Sequence, residues 1–256
     1  MKSEGTPVTR LCTHSNDAIH VRGADLVEDL IGQLTFTEMS YFAITGRRPS
    51  AAETRILDAV LVTLMEHGLT PSAIAARLVY ASTPESLQAG VSAGLLAVGS
   101  VFVGTMEGCA RLIERILASP DLEAAARDTA EAHRDVGKPV PGFGHHLHKP
   151  DDPRTPKLLG LAEAEGVPGR HIAALRALGA AVDAVYGKHI TINATGAVAA
   201  LLGEIGIPGQ IMRGFAVISR SAGLVAHIAE EQTDPTMRHI WTTVEKSVPY
   251  TDKPPD

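Results

Sequence analysis

Ile56, Leu57, Val60, Leu61 and Leu64 fall on one face of a helix, and no stretch of the chain alternates apolar with polar residues as a half-buried strand does. Ser50 and Glu53 supply the matching helix start, a capping box in which each side chain satisfies the other's backbone N–H. The same punctuation recurs. Asp25 to Leu34 and Thr37 to Thr45 read as short helices, the second opened by Thr37 and closed by Gly46, and Thr70-Pro71 starts another that runs through Ala73 to Tyr80.

Asp121 to His133 has the Glu123/Arg127 spacing of a solvated helix. Further helices are expected at about Lys157 to Glu165, His171 to Tyr186, Ala194 to Glu204 and Ile211 to Glu231, parted by Gly-Val-Pro and Gly-Ile-Pro breaks. With no convincing strand and no repeat of fixed period, the pattern predicts an all-α protein. A chain of 256 residues can bury one generous core or divide it between two lobes. After Tyr250 it reads as a frayed end.

Leu87 to Met106 carries no charge until Glu107 and is as long as a bilayer-spanning helix. Gln88, Ser92 and Ser100, with Gly90, Gly94, Gly99 and Gly104, make it weakly apolar, so it is expected as a helix packed on all sides within the protein. No membrane association is expected. The net charge of −6 provides no basic field for nucleic acid. Cys12 and Cys109 are too few for a disulfide framework, and the polar start Met1-Lys2-Ser3-Glu4-Gly5 lacks a secretory core, so a cytoplasmic setting is expected.

The helical pattern breaks between Gly137 and Pro156. Prolines stand at 139, 141, 150, 153 and 156, glycines at 137, 142 and 144, and Lys138, His145, His146, His148, Lys149, Asp151, Asp152 and Arg154 crowd around them. A loop this long is functional or disordered. Imidazoles can exchange protons near neutral pH, and Arg154 can grip a carboxylate with two donors. From composition alone a polar surface turn is an equal alternative. His-His-x-His also suggests a metal cluster, but adjacent histidines rarely converge on one ion and no second ligand group has a fitting spacing, so no metal is expected. His67, at a Glu-His-Gly helix end, can be a simple C-terminal cap.

Pro141-Gly142-Phe143-Gly144-His145, followed by Asp152-Pro153-Arg154, resembles the active-site segment of the citrate synthase superfamily. His67-Gly68-Leu69-Thr70-Pro71-Ser72 with Arg77 resembles its His-Gly-Leu helix start, and Phe215 to His227, with Arg220-Ser221-Ala222-Gly223, its late substrate-binding helix. Matches in the family's order run from residue 22 to 231. The chain is much shorter than a full citrate synthase and resembles most the compact citryl-CoA lyase type, including the lyase module of ATP citrate lyase.

Three positions depart from the synthase pattern. Phe102 stands where synthases carry a histidine that polarises the thioester carbonyl, and the lyase module resembles this chain in having Phe there. Thr195, in Asn193-Ala194-Thr195-Gly196, takes the place of the family's proton-transferring aspartate, and a hydroxyl does not ionise near neutrality. Glu245 stands where the synthase's partner subunit sends an arginine to a substrate carboxylate, with Lys246 or His239 as possible compensation.

The resemblance implies cleavage of a 3-hydroxyacyl-CoA, citryl-CoA first, to acetyl-CoA and a keto acid such as oxaloacetate. It implies that His145 removes the hydroxyl proton, that Thr195 is the other residue at the chemistry, and that His67, Phe102, Arg154 and Arg220 hold the substrate. Lys138, Gly142, Gly144 and His146 then lie along the CoA arm. No tightly bound cofactor is expected, CoA being part of the substrate. The alternatives are condensation of acetyl-CoA with a keto acid, and a non-catalytic homologue that binds CoA ligands. The family further implies a homodimer, with residues 1–107 and 206–256 in a large helical domain and 108–205 in a small one.

Overall fold

The computed structural model describes residues 6–101 and 103–252. Phe102 and the Met1–Gly5 start lie outside them. Among the described residues, eleven α-helices account for most of the fold. α1 (Phe36–Thr45) is closed by Gly46, as expected, but Thr35 rather than Thr37 opens it, forming a capping box with Glu38. Thr37 lies within the helix and hydrogen-bonds Asp58. α2 (Ala51–Met65) has the Ser50/Glu53 box and buries the five residues of its apolar face.

α3 (Pro71–Ser82) starts on Thr70, whose side chain accepts from Ala73 N–H. α4 (Leu87–Leu96) and α5 (Thr105–Leu117) divide the segment expected as one enclosed helix. The chain turns between Gly99 and Gly104, with Val103 at φ 51, a left-handed conformation unusual for a β-branched residue. Nor is the segment packed all round, since Leu96 and Val101 are 87% and 80% exposed. Only one face is closely approached. A Cβ on Gly94 would lie 2.6 Å from Leu224 and 2.9 Å from Ser72 O.

α6 (Leu122–Asp135), α7 (Arg154–Ala164), α8 (Arg170–Tyr186), α9 (Ala194–Glu204) and α10 (Met212–Thr233) follow the expected order. α7 begins three residues early because Arg154 already lies in its first turn, so the loop ends at Pro153. α11 (Met237–Ser247) was not anticipated. It buries no residue, and Trp241, Val244 and Val248 are exposed.

The expectation of no strand is corrected by a small antiparallel meander, β1 (Cys12–His14), β2 (Ile19–Val21) and β3 (Ala24–Asp25), pairing Cys12 with Val21 and His20 with Asp25. Strands of two or three residues cannot display an alternation, so pairing alone defines them. The helix expected at Asp25 to Leu34 shrinks to one π-helical turn, Leu26–Leu30, capped by Asp25 and stopped at the extended Ile31.

One continuous apolar cluster runs from Ile56, Leu57 and Val60 through Ile113 and Ile116 to Leu201, Leu202 and Phe215. Burying each such side chain is worth about 1.5–3 kcal/mol, which locks α2, α5, α9 and α10 around the ends that carry the polar residues below. No helix of the described residues is long and apolar enough to cross a membrane.

Candidate active site

The 137–153 loop is held by backbone contacts with the segment before α9. Gly144 N–H donates to Thr191 O at 2.8 Å, Asn193 N–H to Gly142 O at 3.0 Å, and the Asn193 side chain to Gly144 O at 2.9 Å. Gly142, at φ 89, has no room for a side chain, since a Cβ would meet Cys109 Sγ at 2.6 Å and Gly196 Cα at 2.9 Å. These contacts fix the loop that carries His145.

His145 Nδ1 accepts the backbone N–H groups of Leu147 and His148, at 3.1 and 3.0 Å. Two donors at one nitrogen place the neutral ring's proton on Nε2 and leave that atom to face other groups. His146 and His148 stack on this ring at centroid distances of 4.8 and 4.3 Å. His67, from the turn after α2, joins them, with its Nε2 3.3 Å from His148 Nε2. Burial, followed by the charge of Arg154 on His67 and by His148 on His145, holds both imidazoles below their ordinary range. Both rings are therefore neutral at neutral pH.

Ring nitrogens of His67, His145 and His148 lie within 4.8 Å of one another, a spacing a metal ion accepts. The histidines thus converge more closely than their spacing in sequence suggests. A ligating imidazole, however, ordinarily donates through its second nitrogen, and at His145 that nitrogen already faces two donors.

Asp152 is fully buried and grips Arg154 with both oxygens, accepting from Nε at 2.9 Å and Nη2 at 2.7 Å. It also accepts Ala194 N–H at the start of α9. Burial opposes its ionisation, but the Arg154 bonds prevail and hold its carboxyl at about 2. Arg220, on α10, is buried, and its Nη1 has no hydrogen-bond partner. Burial lowers its affinity for a proton, as expected of a guanidinium shielded from water.

Glu66 is a site residue the sequence reading overlooked. Its Oε1 accepts His67 and Gly68 N–H, and its Oε2 lies 2.9 Å from His227 Nε2 and 3.9 Å from Arg220 Nη1. Burial raises its pKa, but His227 and these backbone donors outweigh that and hold it below the usual carboxylate range. Arg77 fixes His227 in turn by donating to its Nδ1 at 3.0 Å, while its other nitrogens bind Glu230 and Glu231. The adjacency of Glu66 to His67 was a usable signal; the turn that aims its carboxylate at α10 was not.

Thr195 sits in the first turn of α9, donating to Asn193 Oδ1 at 2.7 Å and hydrogen-bonded to Thr105 Oγ1 at 2.8 Å. Asn193 links it to Gly144, next to His145. Thr105 was another missed contributor, standing near the end of the Leu87 to Met106 stretch that the sequence presents as one enclosed helix. Lys138 is exposed just beyond α6. Glu245, His239 and Lys246 are exposed on α11, where Glu245 lines a cavity of about 530 Å³ with Leu78, Ile240 and Trp241.

The family model for the citrate synthase C-terminal domain matches residues 19–241. Among solved structures, the citryl-CoA lyase from Hydrogenobacter thermophilus shares 35% identity, with a TM-score of 0.87 covering 97% of this chain and 96% of that one. An ATP citrate lyase from Methanothrix soehngenii, in complex with citrate and coenzyme A, shares the fold at 18% identity and TM-score 0.82, over 99% of this chain but 43% of that one. Citrate synthase from Haloferax volcanii is 27% identical over 219 residues, 83% of this chain and 55% of the relative. The chain thus spans about half the length of the citrate synthases it matches.

Proposed function

This chain belongs to the citrate synthase family, and on that premise we propose that it is a carbon-carbon lyase of the citryl-CoA lyase type, cleaving a 3-hydroxyacyl-CoA to acetyl-CoA and a keto acid. The end-to-end likeness to the Hydrogenobacter lyase supports this reading. The observation that carries it is His145, whose occupied Nδ1 leaves Nε2 as the nitrogen that can act on a substrate oxygen.

In the cleavage the bond between the carbinol carbon and the acetyl methylene breaks. Its electron pair moves onto the acetyl carbon as the thioester enolate, the hydroxyl proton passes to water as the carbonyl forms, and the enolate carbon takes a proton from water. We place His145 Nε2–H against the substrate oxygen, where a fixed donor stabilises the developing alkoxide. Removal of the hydroxyl proton by this ring, the role the sequence suggested, needs the other tautomer. Thr195, whose hydroxyl donates to Asn193 and shares a hydrogen bond with Thr105, borders the acetyl end.

Arg220 and Arg154 receive the keto-acid end beside His67. Lys138, Gly142, Gly144 and His146 border the CoA arm, CoA entering only as part of the substrate. We further infer a cytoplasmic homodimer in which residues 108–205 form the small lobe and 1–107 with 206–256 the large one, α11 presenting its exposed Trp241 and Val244 to the partner.

The test is acetyl-CoA release from hydroxyacyl-CoA thioesters, followed by mass spectrometry with wild type and His145→Ala. Turnover that is lost in the variant supports lyase action. Accumulation of a hydroxyacyl-CoA from acetyl-CoA and a keto acid would instead establish acyl transfer in the condensing direction, and CoA binding without any turnover would establish a binding protein.

A further inference from the structure

The charges around the keto-acid end cancel. Asp152 spends both oxygens on Arg154, occupying its Nε and Nη2. Glu66 stands 3.9 Å from Arg220, held there by His227 and the backbone of His67 and Gly68. Behind it, Arg77 is consumed by Glu230, Glu231 and His227. His67 and His145 are neutral for the reasons given above. Two guanidinium groups thus face two carboxylates, and of these two arginines Arg220 keeps a buried nitrogen, Nη1, without a hydrogen-bond partner.

A ligand carboxylate gains most where it meets a buried donor that lacks a partner, and loses where it meets another carboxylate. One carboxylate can dock on Arg220. A second would share the same small volume with Glu66, whose oxygens cannot donate to it. Resting on the lyase reading, we propose that the keto acid released is a 2-oxo monocarboxylate, so that the substrate bears one carboxylate on its carbinol carbon and a neutral group where citryl-CoA carries its second.

For a methyl as that neutral group the substrate is 3-carboxy-3-hydroxybutyryl-CoA. Cleavage of its bond between carbinol carbon and methylene gives pyruvate and acetyl-CoA, the hydroxyl proton lost being matched by the one the enolate carbon gains. No oxidant or metal is required. Glu66 is then a specificity-determining residue, one that repels a carboxylate without taking part in bond cleavage.

The experiment measures kcat/KM for citryl-CoA and 3-carboxy-3-hydroxybutyryl-CoA with the wild-type protein, detecting oxaloacetate, pyruvate and acetyl-CoA. The monocarboxylate should be favoured by about tenfold or more, the scale of one close charge repulsion at a partly screened site. Equal or better cleavage of citryl-CoA overturns the inference and leaves lyase action intact; release of acetyl-CoA from neither overturns both. Glu66→Gln, which keeps the shape and removes the charge, should move the ratio toward citryl-CoA, and an unmoved ratio overturns the role of Glu66. Pyruvate and oxaloacetate compared as product inhibitors of wild type read the same preference without a variant, and tighter inhibition by oxaloacetate counts against it.

Discussion

Asp152 holds Arg154 with both of its oxygens, at 2.9 and 2.7 Å, from a fully buried position. The pair spans two residues of sequence, yet Ala194 N–H also binds Asp152, so the active-site loop, α7 and α9 meet on one carboxylate. Removing that charge should be felt in stability as well as in turnover.

Asp152→Asn leaves Arg154 without its counter-charge. The folded carboxyl, at about 2, lies below its ordinary 3.8, so it contributes stability that is present above pH 3.8 and lost as pH falls through 2. The variant should be destabilised by roughly 2 kcal/mol at pH 6. Urea unfolding at pH 6 and pH 3 should show that difference narrowing at the lower pH.

His145→Ala should lower kcat by about 10²- to 10⁴-fold, the usual range for a positioned group at the reacting atoms. Thermal unfolding should change little, because the ring is only part-buried and its polar contacts are with its own loop. A variant that retained full turnover would displace His145 from the chemistry.

Protonating His145 sets an N–H against the N–H groups of Leu147 and His148. His67 and His145 are both shifted below their ordinary 6.5, chiefly by burial. Activity that requires the neutral rings should hold at pH 7 and fall only below 6.5. A kcat/KM profile whose acid limb inflects above that value contradicts the assignment.

Gly142→Ala forces a side chain into a left-handed backbone position and against Cys109 Sγ and Gly196 Cα. A cost of about 1–3 kcal/mol is expected, together with lost turnover, as the loop shifts away from Asn193. Denaturant unfolding reads the first and the acetyl-CoA assay the second.

Thr195→Val keeps volume but breaks the hydroxyl chain from Thr105 through Thr195 to Asn193. The variant loses two hydrogen bonds, each worth about 0.5–1.5 kcal/mol, and kcat is expected to fall by at least roughly two- to tenfold. A fall confined to KM would assign Thr195 to binding alone.

Local physics determined much of this molecule directly from its residues. The apolar face of α2, the Ser50/Glu53 box, the Gly46 stop and the Asn193 start of α9 depend on neighbours within a turn or two, so the sequence states them. The loop around His145 was equally legible, since prolines and glycines cannot sustain a helix there. Only tertiary contacts decided the rest. The β1–β3 meander is too short to have a period, and between α4 and α5 Val103 takes a left-handed conformation that its residue type does not announce. Glu66 meets Arg220 and His227 across more than 150 positions of chain, and His67 meets His148 across 81, which no spacing in sequence can encode. Residue types supplied the chemical groups; burial and long-range packing chose which remain charged, which are neutral and which keep a donor free for substrate.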